Sequence, residues 1–542
     1  MNADISAATA QGPTPRPTRW RPGVLAAALG GLVAVGLGLA LAEVLAIVGG
    51  WVSLTGPAAS PLTSLGQSFI GLTPEWLKQF AISTFGQNDK VALTVGMGVT
   101  VAIVAAIIGV LARWRLPVAL VLAVVLLVVG GIAVLSRTGS SVVELLPLVI
   151  GGIVGLVVLA TIFRPAPAAV GSSEAATSDS VADAPARGAD RRRFFTWVGA
   201  GAAGAVVAGV AARFLPDSAQ TVASRRSVSL PVPADIQQIP ADVALDTPGL
   251  TPFVTDNANF YRVDTAFVVP QLTTQEWQLR IHGLVDQEIT LDYAALTARP
   301  SLERMITLTC VSNPVGGDLA GNATWQGVRL ADLLAEAGPQ SGADCVLSTS
   351  VDGFTVTTPL EALTDDRDAL LAYAMNGEPL PVEHGFPVRM VVPGLYGYVS
   401  ATKWVVDLEV TRFSDVSAYW TDRGWAPQAP IKTASRIDVP AAFANLGVGP
   451  VMVGGMAWAQ HRGVSSVQVR IDGGDWQEAT LSGDVSIDTW RQWEFEWNAD
   501  RGQHTIECRA IDGTGTPQVE QVQGTVPDGA TGLDSRVVMV TV

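Results

Sequence analysis

The sequence predicts three parts in order: a membrane bundle of about five helical spans, an α+β soluble domain, and an all-β sandwich. Long apolar runs are confined to the first 215 residues. After Pro216 short β-type runs mix with a few helical ones, and past Pro430 helical signals nearly vanish. Charge divides at the same place: residues 1–215 hold 14 Lys/Arg against 9 Asp/Glu, and residues 216–542 hold 20 against 40. So acidic a soluble half excludes nucleic acid as a partner.

Residues 1–23 form a short tail before a four-span anchor over 24–163, with apolar runs at 24–48, 91–112, 117–135 and 142–163. Each is close to the ~20 residues that a bilayer requires. A fifth span is expected within 194–215. Arg16, Arg19 and Arg21 precede the first span, Arg113 and Arg115 join the second to the third, and Arg187 with Arg191, Arg192 and Arg193 precede the fifth. Positive charge stays on the cytoplasmic side, so parity delivers everything after Pro216 to the extracytoplasmic face. Between the first two spans, "LTPEWLKQFAISTFG" has Thr73 as N-cap, Pro74 at the first helical position and one apolar face, and is expected along the outer interface. Glu43 and Glu144 fall inside apolar runs. Such carboxylates are either functional or sit near the outer ends of their helices. All four histidines lie outside the spans, which excludes a bis-His haem in the bilayer.

Residues 164–193 are rich in Ala, Ser and Pro and are expected to be a disordered cytoplasmic linker. It ends in "DRRRFFTWVGAGAAG". Arg191, Arg192, Phe194 and Phe195, ahead of a weakly hydrophobic helix, resemble a twin-arginine export signal, although an ordinary positive flank reads the same way. Export of a folded domain suits one that is loaded with a cofactor first. Residues 216–245 then read as a second linker.

The soluble domain is expected over 246–425. "EWQLRIHGLV", "RMITLTCV", "ADCVLSTSVDGFTVTTPL", "FPVRMVVPG" and "TKWVVDLEVTRF" read as strands, "GVRLADLLAEAG" as a helix closed by Gly338, and "PLEALTDDRDALLAYAM" as mainly helical. From 430 to 542, "SVQVRIDGGDWQEAT" and "HTIECRAIDGTG" alternate around Asp-Gly turns, the pattern of an immunoglobulin-like sandwich. Its tryptophans, Trp458, Trp476, Trp490, Trp493 and Trp497, read as core and interface aromatics.

The three cysteines, Cys310, Cys345 and Cys508, show neither CxxC nor CxxCH spacing, which excludes a zinc knuckle and a c-type haem. Cys345 and Cys508 lie inside apolar or alternating runs and read as buried hydrophobes. Cys310 differs: in "TLTCVSNPVGGD" it ends a strand-like run and turn-formers follow at once.

Four segments now matter together, in order: "TLTCVSNPVGGD", "TWQGVRLADLLAEAG", "MNGEPLPVEHGFPVRMVVPGLYGYVSATKW" and "SRIDVP…GMAWAQHRGVSSVQVRIDGGDWQEA". The chain from about Asp246 to its end resembles the sulfite oxidase family of molybdopterin-dependent oxidoreductases, including that family's C-terminal dimerisation domain. The resemblance implies a molybdenum-molybdopterin cofactor with Cys310 as the metal ligand, a role for which a soft thiolate is suited. It implies Asn259, Tyr261, Arg262, His384, Arg389, Ser400, Thr402 and Lys403 as cofactor-binding residues. Arg389 is the strongest of these, because an arginine in an apolar run calls for an anionic partner. His384 could instead be a solvated turn histidine.

The resemblance further implies Arg262 and Arg462 beside Cys310 in the catalytic site, and a two-electron reaction that moves an oxygen atom to or from a small oxyanion or sulfoxide. Two departures stand against sulfite. No arginine follows Cys310 closely, and "YWTDRGWAP" holds Arg423 and Trp425 where the family carries a tyrosine. With no haem motif or flavin fingerprint, electrons must pass to a separate partner. The full expectation is a multi-pass enzyme of a bacterial plasma membrane, in the lipid bilayer, homodimeric through its C-terminal domain. The rival is a cofactor-free binding or adhesion module on the same fold.

Overall fold

The computed structural model describes residues 21–51, 54–55, 59–73, 89–137, 140–164, 192, 194–204, 217–266 and 268–541. They fall into two compact units, divided after Pro216.

In the first unit, helices α1 (Val24–Trp51), α2 (Pro61–Leu72), α3 (Asp89–Ala112), α4 (Leu116–Leu135) and α5 (Leu146–Phe163) follow in order. Four stretches, Val24–Gly50, Thr94–Ala112, Leu116–Leu135 and Val142–Phe163, are long and apolar enough to cross a membrane. Small residues set the packing, as they do where lipid gives helices no hydrophobic reason to associate. A Cβ on Gly31 of α1 would overlap the Ala105 carbonyl of α3, and one on Gly38 would lie 2.8 Å from the Gly151 carbonyl of α5. Arg21 and Arg113 both stack on Trp114, at 5.4 and 4.9 Å from its ring centroid, so the start of α1 and the end of α3 share one end of the bundle.

Of the fifth span, residues 194–204 are helical and the rest lies outside the described residues, as do most of the interfacial segment, Arg191 and the linker after Arg164. Helix α2, which the sequence reading missed, explains Glu43. The Glu43 carboxylate accepts from the Leu62 backbone N–H and the Ser60 hydroxyl, both at 2.8 Å, and so caps the start of α2. Glu144 is buried in the turn before α5.

The second unit begins with α6 (Asp217–Ser227), so the supposed linker over 216–245 is folded. Arg225 binds it down, donating to the carbonyls of Pro379 and Leu380 at 2.7 and 2.8 Å. Strands β1 (Asp235–Ile236), β2 (Gln278–Gly283), β3 (Ile289–Asp292), β4 (Leu302–Thr309), β5 (Ala320–Arg329), β6 (Cys345–Ser350), β7 (Thr355–Pro359), β8 (Leu370–Met375), β9 (Glu378–Pro379), β10 (Arg389–Val391) and β11 (Val405–Thr411) build two mixed sheets. Their orders are β1-β4-β5-β8-β10, with β9 beside β8, and β3-β2-β11-β6-β7. Short helices α7 (Tyr293–Thr297), α8 (Leu330–Ala337) and α9 (Leu360–Thr364) connect them, and Gly338 ends α8 at φ +70°.

The segment expected to be mainly helical over 359–375 is helical only in α9. Leu370–Met375 is instead a strand with all six residues buried. A strand covered on both faces loses the period-2 signal, and its apolar run cannot be told from a buried helix.

The C-terminal region holds β12 (Ala434–Val439), β13 (Asn445–Gly447), β14 (Gly449–Trp458), β15 (Val464–Ile471), β16 (Gln477–Glu478), β17 (Thr480–Leu481), β18 (Arg491–Ala499), β19 (Gly502–Asp512) and β20 (Asp534–Thr541). Sheet β12-β14-β18-β17 and sheet β13-β20-β19-β15-β16 enclose Val453, Val467, Trp493, Ile506, Cys508 and Val538. Trp458 and Trp490 leave that core and join the core of the first two sheets. Trp490 donates from Nε1 to the Phe253 carbonyl at 2.8 Å. The sandwich therefore keeps a core of its own and lends these two tryptophans to the core of the neighbouring sheets.

Candidate active site

Cys310 is the first residue after β4, at the root of a ten-residue loop that returns as β5. Its backbone N–H donates to the Leu319 carbonyl at 2.9 Å, and the Asn313 side-chain oxygen accepts from Leu319 N–H at 3.0 Å, so the loop closes on itself. The sandwich then grips it. Gly316, at φ +70°, lies so near Asp534 that a Cβ would sit 2.5 Å from its carboxylate oxygen. Arg436 of β12 donates through Nη1 to the Gly317 carbonyl at 2.9 Å and pairs with Asp438 at 2.8 Å. Cys310 is 8% exposed, and burial pushes its thiol up, against hydrogen bonds from Ser312. An ion would be needed to hold it as thiolate.

Tyr261 feels both Cys310 and Arg389, which belongs to a group of cations. Arg389, on β10, is 5% exposed, stacks on Trp325 at 4.9 Å from the centroid, and donates to the carbonyls of His384 and Met390. No carboxylate pairs with it among the described residues. Burial alone lowers it to about 10. Lys403 is 8% exposed, pairs with Asp264 at 2.9 Å, and is lowered by burial to about 8. The half-exposed Arg262 reaches the same Asp264 oxygen, also at 2.9 Å. His384 is buried, shares a 3.2 Å hydrogen bond with the Asn257 carbonyl, and is held down to about 4 by burial and by Arg389 and Lys403. It is not the solvated turn histidine that the sequence left open. Gly385 brings these side chains together: at φ +110°, a Cβ there would lie 3.0 Å from Arg389 Cβ and 3.2 Å from Lys403 Cβ. A buried cation without a counter-ion is costly, and it fits an anionic ligand such as a pterin phosphate.

Tyr261 stacks on Phe260 at 5.2 Å, and its phenol is pushed up by burial and by Cys310, against the pull of Arg389. Other expected residues are committed elsewhere. Asn259 is exposed, and no side-chain contact joins it to the cations among the described residues. The Ser400 hydroxyl donates to the carbonyls of Leu395 and Tyr396, and Thr402 exchanges a 2.7 Å hydrogen bond with Ser348; both are fully buried. Arg462 pairs with Asp512 at 3.0 Å and donates to Ile431 and Thr433. Trp425 is buried against Tyr398 and Trp420.

Three residues were missed by the sequence reading. Asp264 stands two places after Arg262 and could have been found as its counter-ion. Tyr396, in "PGLYGYVS", feels both Cys310 and Arg462, and its oxygen accepts from Lys432 N–H at 3.4 Å. Arg436 has Asp438 two places on as a local partner, but its contact with the Cys310 loop lies 119 residues away.

Residues 266–420 match the family described as "Oxidoreductase molybdopterin binding domain". Mitochondrial sulfite oxidase of Mus musculus is 30% identical over 323 residues, covering 50% of this chain and 58% of that protein. Sulfite oxidase of Gallus gallus is 30% identical over 320 residues, 50% of this chain and 69% of that one. The "Uncharacterized oxidoreductase YuiH" of Bacillus subtilis is 37% identical over 150 residues, 28% and 72% of the two chains. The chain thus spans little more than half of the mammalian relative. Among solved structures, the sulfane dehydrogenase SoxCD from Paracoccus pantotrophus aligns with a TM-score of 0.48 at 22% identity, over 58% of this chain and 94% of that one. By its sequence likeness, this chain belongs to the sulfite oxidase family of molybdenum-dependent oxidoreductases.

Proposed function

We propose that this chain is a membrane-anchored oxidoreductase whose extracytoplasmic site binds molybdenum-molybdopterin and moves an oxygen atom to or from a small oxyanion or sulfoxide. The observation that carries the reading is Arg389: a buried guanidinium on the Trp325 face with no carboxylate beside it among the described residues, and with Tyr261 in electrostatic reach of both it and Cys310. A binding or adhesion module would have no use for a buried unpaired cation.

When bound, the molybdenum centre would supply the two-electron chemistry. The protein does the rest. Cys310 would hold the metal as thiolate, a soft donor suited to it. Arg389, Lys403 and Arg262 neutralise the pterin phosphate. His384, neutral near pH 7, donates to or accepts from the cofactor without adding charge. Tyr261 and Tyr396 line the substrate side, and Arg462 closes it from the sandwich. Electrons pass to a separate partner. The apolar helices support the anchor, "DRRRFF" supports twin-arginine export, and the C-terminal sandwich, read as immunoglobulin-like, serves homodimerisation.

Metal analysis of purified protein tests the core of this. About one molybdenum per chain is expected, lost in Cys310→Ser with the fold retained; native protein free of molybdenum refutes it.

A further inference from the structure

We propose that the start of α1 and the turn between α3 and α4 form a binding site for the phosphate of an anionic phospholipid, held by Arg21 and Arg113 at the Trp114 ring. This rests on the membrane anchor read above and assigns it one class of lipid.

Charge is the first argument. Trp114 lies in the short connection between the apolar stretches Thr94–Ala112 and Leu116–Leu135, where a tryptophan meets lipid headgroups, and it is 58% exposed. The Arg21 and Arg113 guanidiniums are 5.4 and 4.9 Å from the centroid of this one ring, so they stand within about 10 Å of each other, where like charges still repel. Arg115 follows directly. Arg164 ends α5 at the same end, since a Cβ on Gly30 of α1 would lie 3.1 Å from the Phe163 ring. The acidic residues described in this unit stand at the other end: Glu43 caps α2, Asp89 opens α3 and Glu144 precedes α5. No described carboxylate therefore answers these four arginines.

Membrane sidedness accounts for arginines on one side of a bilayer. It does not account for two of them on one ring, nor for their places beside the helices. Arg21 comes just before α1, and Arg115 is the N-cap of α4. Helix N-termini carry partial positive charge and disfavour cations, so an anion here offsets both the mutual repulsion and the dipoles.

Hydrogen bonding is the second argument. Arg113 Nε is buried, and no acceptor reaches it among the described residues. No side chain caps α4. A phosphodiester accepts from a guanidinium through two oxygens at once, and its negative charge suits an uncapped helix start. The acyl chains of a lipid also have a place to lie. Leu25 of α1, Ile107 of α3 and Val118 of α4 are exposed within two turns of the site along their helices. Inorganic phosphate brings the charge without the chains, and leaves that apolar surface uncovered.

Native mass spectrometry of the full-length protein in detergent, mixed with equal amounts of phosphatidylglycerol and phosphatidylcholine, decides this. Wild type should retain phosphatidylglycerol over phosphatidylcholine by on the order of twenty-fold. Arg21→Gln and Arg113→Gln should each cut that preference about fivefold, the share of one basic residue at an anionic surface. Arg113→Lys keeps the charge without the fork and should fall between wild type and Arg113→Gln. Arg137→Gln, past the other end of α4, should leave the preference unchanged. Excess inorganic phosphate should not displace the lipid. Equal retention of the two lipids, an unaltered preference in both Arg21→Gln and Arg113→Gln, or displacement by inorganic phosphate overturns the site and leaves the anchor standing. Protein that washes off phosphatidylcholine vesicles in alkaline carbonate, without detergent, overturns both.

Discussion

Arg436, in the first strand of the sandwich, donates to the carbonyl of Gly317, 2.9 Å away, in the loop that begins at Cys310. The proposed metal ligand is thus held by the domain that does not contain it. The same guanidinium pairs with Asp438, and both side chains are less than a tenth exposed. Arg436→Ala strands the Asp438 carboxylate and frees the loop. A loss of about 3 kcal/mol is expected in urea unfolding, with molybdenum content falling in parallel. Unchanged stability and metal content would remove the clamp from the account.

Arg389→Gln separates folding from cofactor binding. Folded Arg389 sits near 10 against 12.5 unfolded, so the unfolded chain binds more protons between those values and stability rises with pH there. Below that window the full penalty of a buried cation persists. Removing the charge should leave cofactor-free protein as stable as wild type, or about 1 kcal/mol more so, while abolishing pterin retention. Thermal unfolding of cofactor-free protein and pterin fluorescence after release measure the two effects.

His384 gives acid sensitivity. Its folded value near 4 lies below the unfolded 6.5, so the unfolded state gains the proton first as pH falls. Cofactor-free protein should lose about 3 kcal/mol between pH 7 and pH 4 from this group, and His384→Gln should flatten that part of the profile. Urea midpoints across the range provide the test.

Gly385→Ala places a side chain at φ +110° against Arg389 and Lys403. A loss of about 2 kcal/mol is expected, with weaker cofactor retention than in Gly377→Ala. Gly377 also has positive φ but open space around it, so it controls for backbone strain alone.

In the membrane unit, Gly31→Leu should lower the melting temperature in detergent by disturbing the approach of α1 to α3 at Ala105 and Gly109. Gly36→Leu, where nothing lies within 4 Å, should not.

The sequence by itself determined the order of the parts, four of the apolar helices, the strand that ends at Cys310, and Arg389 as a cation in need of an anion. These are legible because apolar runs, turn residues and a misplaced charge are local signals. It misread Leu370–Met375 and the folded stretch after Pro216, where burial on both faces or a distant pairing partner erases periodicity. Only the tertiary structure decided which charges cancel. Asp264 shares Arg262 and Lys403, and Asp512 engages Arg462. Tyr396 comes within electrostatic reach of Cys310, and Arg436 reaches Gly317 across 119 residues of chain. Charge balance and hydrogen bonding act over a few ångströms of space, and no spacing along the chain encodes that distance.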